Sequence, residues 1–594
     1  MPEREPYRGT KRRLVLAFDL GTTFSGISYA VLDPGIVPKI HTVMRYPGQE
    51  TRDSKVQTVI YYDVDGKVVA TGAEQPPAGD DSDEEDEWQD IQPHKLEWFK
   101  LLLRPKHTTT PNQNIPTPKL PPSKDIVDVF ADFYRYLFAR ARDYIRQTHA
   151  NGDSLWDSVA DDIDFVLSHP NGWEGAQQGA MRRAAVKAGL VPDTPAGRER
   201  VTFVSEGEAS FHYCLSSSLV ADSIKTGNNL MIIDAGGGTV DLSAYTFAEE
   251  SPIKINEIAA SGCTSMFEGS VIVRNRAEQH LVGASRLRNS KFSGQAYIDS
   301  MVDEFDRITK KRFTPAVGDS YIKFSNMLTD RDVKAGIRNG QIKLTQCEVS
   351  GFFDPGIEEI INAIKAQRDA AAPASISTYF LVGGFAASEY LFAKLDAFLA
   401  DIGCRLFRPD DDTKKAVAEG AVSFQIDRFV HKRVAKASYG IICHTHYDAS
   451  DPSRAARSER RIKNLEGYWR LPYWFDVILE RGTQVSESTT FKSSTNKKSA
   501  RGVDSISSKI RVYRGSKTPQ WFDEDPDGFS TLCKITGDVS SVPKLPQMGL
   551  DGQTFYRQNY DIVLSFGLTE LKAHLEWTDR VSSFAEKRVR QLTV

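Results

Sequence analysis

Leu230-Met231-Ile232-Ile233-Asp234-Ala235-Gly236-Gly237-Gly238-Thr239-Val240-Asp241-Leu242-Ser243-Ala244-Tyr245 is an apolar run, an Asp-bearing glycine turn and a second strand-like run. Two such runs joined through Gly and Asp predict a hairpin. The turn carries the chemistry. Glycines let backbone N–H groups point inward with no Cβ in the way, which suits a phosphate, and Thr239 adds a hydroxyl donor. An Asp at the strand end repels phosphate if it meets it directly. It makes sense beside a divalent cation, because Mg²⁺ keeps several waters and is held by one or two carboxylates together with phosphate oxygens.

The same order of features occurs near the start of the chain. Leu14-Val15-Leu16-Ala17-Phe18 leads into Asp19-Leu20-Gly21-Thr22-Thr23 and then Ile27-Ser28-Tyr29-Ala30-Val31. Either copy alone is equally well an ordinary glycine hairpin. Both together, each with strand, Asp, Gly, Thr and strand in order, favour phosphate binding. Their separation is too large for a solenoid repeat and suits two related domains. Asp19 and Asp234 are therefore candidates to place Mg²⁺ through water, and one of them to orient an attacking water. Neither copy has the G-x-x-x-x-G-K-[ST] of a Walker loop or the G-x-G-x-x-G of a dinucleotide fold. A third strand, Tyr379-Phe380-Leu381-Val382, ends in Gly383-Gly384 before a helix over 388–400, and glycines there allow a flat ligand group to approach.

Further out, the spacing of Ile126, Val129, Phe130, Phe133, Leu137, Ala141 and Ile145 predicts a helix over 125–149. Phe165-Val166-Leu167 reads as a strand, 176–188 as a helix closed by Gly189, and 355–368 as another amphipathic helix. Residues 76–90 are acidic and 105–123 rich in Pro and Thr, so an exposed insertion is expected over about 76–124. Past residue 430, alternating segments at 474–479, 509–513 and 561–566 predict a β-rich domain. There Trp469, Trp474 and Trp521 read as core or interface, the basic stretch 453–463 as a solvated loop, and Cys443-His444-Thr445-His446 as a strand end rather than a zinc site.

At 594 residues the chain exceeds one core. A net charge of −4 argues against wholesale binding to nucleic acid or an anionic membrane. No run approaches the roughly 20 apolar residues of a membrane span, and the start does not read as a secretory signal. Six scattered cysteines fit a reducing compartment, so the cytosol is expected, with the nucleus left open.

The segments AFDLGTTFSGISYAVLD, IDAGGGTVDLSAY and YFLVGGFAAS resemble, in this order, the two phosphate motifs and the adenosine motif of the actin, hexokinase and heat-shock-70 superfamily. LSHPNGWEGAQQGAMRRAAVKAGL, FVSEGEASFHYCL and AVAEGAVSFQI are similar to connecting segments of the heat-shock-70 family, and the short C-terminal end resembles its atypical 12A/12B branch. The resemblance implies an α/β, two-lobed actin-like (ribonuclease-H-like) ATPase domain. Lobe I would cover 13–225 after a tail over 1–12, and lobe II with its closing helix 226–430. A smaller β-rich, sandwich-like substrate domain without a full helical lid would follow over 431–594.

The resemblance also implies ATP/ADP and Mg²⁺ as ligands. Asp19, Gly21, Thr22 and Thr23 would hold phosphate and hydrated Mg²⁺. Gly236, Gly237, Gly238 and Thr239 would cradle the β- and γ-phosphates. Asp234 and Glu206 would place metal and water, Lys100 would face the γ-phosphate, Gly383 and Gly384 would meet the adenosine, and Glu304 and Arg307 the ribose or adenine. The partners implied are a protein or peptide client and a nucleotide-exchange factor or other co-chaperone, with no nucleic acid and no membrane insertion. Ala387 stands where the family carries an adenine-stacking Arg, Gln178 where chaperones carry a coupling Arg, and the basic 427–433 where they carry an apolar, acidic linker. The expected activity is slow ATP hydrolysis by a chaperone-like protein. The alternatives are a nucleotide-dependent adaptor without turnover and a small-molecule kinase.

Overall fold

A computed structural model describes residues 4–76, 93–105, 117–216, 224–260, 268–314, 316, 318–409, 413–515, 517–567, 569–579 and 586–592. Most of the acidic stretch 76–90 and of the Pro/Thr-rich stretch 105–123 lies outside these residues. The fold is mixed α/β with several sheets, consistent with an actin-like ATPase fold. Contacts divide it into two compact units, one of residues 1–173 and 180–430, the other of 174–179 and 431–594.

The first unit contains one sheet pattern twice. Strand Arg13–Leu20 pairs antiparallel with Phe24–Leu32 and parallel with Ile163–His169, which runs parallel to Val201–Ser205. Strand Asn229–Ala235 pairs antiparallel with Val240–Glu250 and parallel with Thr378–Val382, which runs parallel to Arg405–Phe407. In each case the hairpin is local and the parallel partners arrive through helical crossovers, as parallel strands require. The central strands read as continuous apolar runs because both faces are covered: Leu14 to Phe18 and Leu230 to Ile233 are all buried.

Helix Ile126–Thr148 starts at a capping box in which Asp125 and Asp128 each accept the other's backbone N–H, and it buries Val129, Phe130, Phe133, Leu137, Ala141 and Ile145. The helix expected from 355 begins at Gln346 and runs to Ala371. A Thr345–Glu348 capping box opens it, and Pro355 sits inside rather than at its start. The missing proline N–H costs one helical bond, while Phe352, Phe353, Ile357, Ile360 and Ile364 bury one face across the interruption.

Helices Glu206–Ser216 and Ala416–Asp427 cross at a point where only glycine fits: a Cβ on Gly420 would stand 1.7 Å from the Ala209 carbonyl oxygen. That close crossing sets the first turn of Glu206–Ser216 at the ends of the central strands.

In the second unit, strands Ile462–Lys463, Trp469–Leu479, Ser438–His446, Ser505–Tyr513 and Phe529–Asp538 form one antiparallel sheet in that order. Strands Thr490–Ser499, Thr554–Gly567, Glu570–Asp579 and Glu586–Leu592 form another, with Pro546–Met548 paired on Thr554–Gly567. Ile506, Ile510 and Ile535 from the first and Ile562, Leu564 and Leu575 from the second share a hydrophobic core. The Cys443–His446 stretch ends a strand. Trp521 is buried and stands edge-on to Trp474, whereas Trp469 is exposed. No described helix is long and apolar enough to cross a membrane.

Candidate functional site

The two glycine turns meet inside the first unit. A Cβ on Gly237 would lie 2.3 Å from Oγ1 of Thr23, and one on Gly238 would lie 2.4 Å from Oγ1 of Thr22. A side chain at either position would force the facing threonine or the turn itself to shift. Gly236 N–H donates to the Thr239 carbonyl at 2.8 Å and closes the second turn. Helix Ser270–Gly283 starts on that turn: Ser270 N–H donates to the Gly236 carbonyl at 3.2 Å and Val271 N–H to the Gly237 carbonyl at 2.9 Å. Three of the turn's carbonyls, those of Gly236, Gly237 and Thr239, are thus occupied. Among the described residues nothing accepts from the N–H of Gly237 or Gly238. Backbone donors left over at a glycine turn form an anion cradle.

Four carboxylates are buried around these turns: Asp19, Glu206, Asp234 and Asp241. Asp19 and Asp234 each occupy the second-last position of a strand. Asp19 accepts from Ser168 Oγ at 3.0 Å and pairs with Lys55. Asp234 accepts from Ser210 Oγ at 2.6 Å. Burial pushes its carboxyl up to about 7; the Ser210 bond pulls it down, Asp241 and Asp19 raise it, and Lys55 lowers it. Glu206, at the start of its helix, accepts from Lys100 Nζ at 2.5 Å. Burial holds the Glu206 carboxyl above the usual carboxylate range, opposed by Lys100 and reinforced by Asp241, Asp19 and Asp234. Lys100 is itself buried and stands 5.8 Å from the Trp173 ring centroid.

Asp241 was not among the residues singled out in the sequence. It lies directly across the hairpin from Asp234. Its Oδ1 accepts Asn171 N–H at 2.9 Å and its Oδ2 accepts Thr239 Oγ1–H at 3.1 Å. The signal was available in the hairpin register, since a turn from Gly236 to Thr239 sets 234 against 241. Lys55, Ser168 and Ser210 were also missed, and single polar residues in apolar segments give no periodic signal.

Gly383 adopts φ +90°, and a Cβ there would stand 2.4 Å from the Ala235 carbonyl oxygen and 2.5 Å from Asp234 Oδ1. The third glycine element is therefore pressed against the end of the second hairpin, while Gly384 faces open space. Glu304 and Arg307 pair with each other at 2.5 Å. They line a concavity of about 510 Å³ with Asp299, Asp303 and Lys323, and none of the glycine-turn residues lines it.

No family model matches the chain. Heat shock 70 kDa protein 12A of Homo sapiens is 23% identical over 509 residues, covering 72% of this chain and 72% of that protein. Heat shock 70 kDa protein 12A of Mus musculus is 23% identical over 503 residues with the same coverage, and Heat shock 70 kDa protein 12B of Homo sapiens is 22% identical over 512 residues, covering 72% and 71%. The chain is a relative of the heat-shock-70-like 12A/12B branch. The backbone donors left over at the second turn, with the hydroxyls of Thr22 and Thr23 against it, suit an anionic ligand.

The residues present fit a hydrated divalent cation beside such a ligand. Asp19 and Asp234, one near the end of each hairpin's first strand, supply the carboxylate oxygens that such a cation takes. Among the described residues no group of three or more His, Cys, Asp or Glu is placed to ligate a metal directly. Contact through water, as Mg²⁺ prefers, suits that arrangement.

Proposed function

We propose that this heat-shock-70-like chain binds ATP between two lobes of an actin-like, ribonuclease-H-like ATPase region and hydrolyses it slowly, and that its β-rich unit, read as a sandwich, binds a polypeptide client. The contact of Gly237 with Thr23 and of Gly238 with Thr22 carries the reading, because two turns this close are within reach of a single polyphosphate. The N–H groups of Gly237 and Gly238 and the hydroxyls of Thr22 and Thr23 take phosphate oxygens, while the Thr239 hydroxyl is held by Asp241. Gly384, which faces open space, leaves room for the nucleoside end, and Gly383 lets that element pack against the second hairpin. Mg²⁺ would be held through water by Asp19 and Asp234 and would supply charge neutralisation at the phosphates.

Asp234 lies beside Asp241 and Glu206, and this group orients the water that attacks the γ-phosphorus. With its carboxyl near 7, Asp234 is poised to accept a proton from that water. Lys100 holds Glu206 and stands ready to turn its charge to the leaving phosphate. Positioning and electrostatics make up the catalysis, with no covalent intermediate. Only ATP engages both turns, so ATP and ADP stabilise different closures, a two-state element that a client site can read.

A second reading, a nucleotide-dependent adaptor without turnover, is favoured by one observation. Both lysines are engaged by carboxylates, Lys55 by Asp19 and Lys100 by Glu206, so neither is offered to a phosphate in this arrangement. Steady-state ATP hydrolysis with Mg²⁺, compared with Asp234→Ala at matched purity, separates the two. Slow turnover lost in the variant supports the hydrolase. Equal inactivity of both proteins, with ATP still bound, supports the adaptor.

A further inference from the structure

The second unit carries a rigid, cation-rimmed hairpin for which the nucleotide chemistry has no use. Ile462 pairs with Arg470 and Lys463 with Trp469. The turn is built from within: Asn464 Oδ1 accepts the N–H of Glu466 at 3.1 Å and of Tyr468 at 3.0 Å, and Gly467 takes φ +86°. A Cβ on Gly467 would stand 2.9 Å from Leu550 Cβ, and Leu550 N–H donates to the Glu466 carbonyl at 3.0 Å, so the loop at Leu550 is fastened against the hairpin tip.

The hairpin's one acidic side chain turns inward. Glu466 is buried and is engaged by Lys498, Arg557 and, at 3.8 Å, Arg470. Three cations on one carboxylate leave a positive surplus. On the outside, Arg461 stands 4.8 Å from the Trp469 ring centroid and 5.4 Å from that of Tyr447, and Lys463 stands 5.3 Å from Trp469. Among the described residues neither Arg461 nor Lys463 has a carboxylate partner. The whole chain is net −4, so this surplus is local and not a bulk property. Between the cations Leu465, Tyr468, Trp469 and Leu550 are exposed, an apolar surface rimmed by charge, which is the signature of a protein-binding patch.

We infer that this hairpin face docks an extended acidic segment of a partner protein. Its carboxylates meet Arg461 and Lys463, and its apolar side chains rest on Leu465, Tyr468 and Leu550. Stacking on Trp469 and Tyr447 holds the Arg461 guanidinium in place while its N–H edge stays free for a carboxylate, so little side-chain freedom is lost on binding. A single-stranded nucleic acid fits less well, because the Trp469 ring that would stack a base is already engaged by two cations. The inference rests on the reading of the β-rich unit as a polypeptide-binding module and names the chemistry it selects.

The test is fluorescence anisotropy of full-length protein with three labelled probes. These are a short peptide alternating Asp/Glu with Leu, the same peptide with Asn/Gln in place of the acids, and oligo(dT). The acidic peptide is expected to bind best. The double variant Arg461→Glu/Lys463→Glu, at unchanged circular dichroism, is expected to weaken it at least about tenfold, and Arg461→Gln/Lys463→Gln less. Acidic-peptide affinity unmoved by charge reversal, or oligo(dT) binding more tightly than the peptide, overturns the inference. If the amide peptide binds equally well, the inference falls and the polypeptide-binding reading stands. If neither peptide binds, both fall.

Discussion

Gly237 and Thr23 are in contact across the two glycine turns, so close that a Cβ on the glycine would sit 2.3 Å from the threonine hydroxyl. Gly237→Ala must therefore push the turns apart while leaving the hairpins themselves intact. ATP affinity is expected to fall at least about tenfold, while the melting temperature moves by only a few degrees, as a fluorescent-nucleotide titration and a thermal scan will register. Unchanged affinity contradicts a shared cradle.

Lys100 and Glu206 form a buried ion pair. Removing one partner leaves the other uncompensated, so Lys100→Met is expected to cost about 3–5 kcal/mol in urea unfolding. Lys100→Met with Glu206→Gln should recover much of that loss, because no charge is then stranded, while ATP turnover stays abolished. Recovery of stability without recovery of turnover separates the pair's structural role from its chemical one.

The Asp234 carboxyl is raised to about 7, chiefly by burial. A raised carboxyl means that the folded protein binds a proton which the unfolded chain has already released. Stability therefore declines as pH rises from about 4 to about 7 and levels off above that. Asp234→Asn removes this dependence. The variant should match the wild type near pH 4 and become the more stable of the two as pH approaches and passes about 7, in melting temperatures measured without nucleotide. A difference independent of pH contradicts the assignment. MgATP binding should move the opposite way, strengthening as pH rises through about 7, because the ionised carboxylate is the form that holds a hydrated cation.

Gly420 and Ala209 fix the helix crossing that sets Glu206 at the strand ends. With a clash at 1.7 Å against a backbone oxygen, Gly420→Ala is expected to destabilise the protein by about 1–3 kcal/mol or more in denaturant unfolding and to weaken nucleotide binding as Glu206 shifts.

What the sequence reveals here is what is local. Each hairpin is an unbroken run of chain in which strand, Asp, Gly and Thr follow in order, so the turns could be read from composition and spacing alone. Helix Ile126–Thr148 was legible from its period. Helix Gln346–Ala371 was legible only in its second half, because Pro355 reads as a boundary when tertiary burial is out of sight. Asp241 is marked only by the hairpin register that sets it against Asp234. Lys55, Ser168 and Ser210 reach the site from other strands and helices, and nothing in the chain marks one lysine or serine as facing a carboxylate across the fold. Lys100 was marked only by its resemblance to a family position, although it proves to be buried on Glu206. The positive hairpin at Arg461 and Lys463 lay inside a stretch that read as a solvated basic loop. Its order comes from Asn464, from the cations clasping Glu466 and from Leu550 about ninety residues on, contacts the linear sequence does not display.

The most direct test of a single nucleotide site built from both turns is calorimetric titration of ATP with Mg²⁺ into wild type, Asp19→Ala and Asp234→Ala. One ATP bound per chain and a loss of affinity of at least about tenfold in each variant are expected, since one carboxylate comes from each hairpin. Absence of binding in the wild type, or variants that bind as the wild type does, would contradict a site shared between the turns.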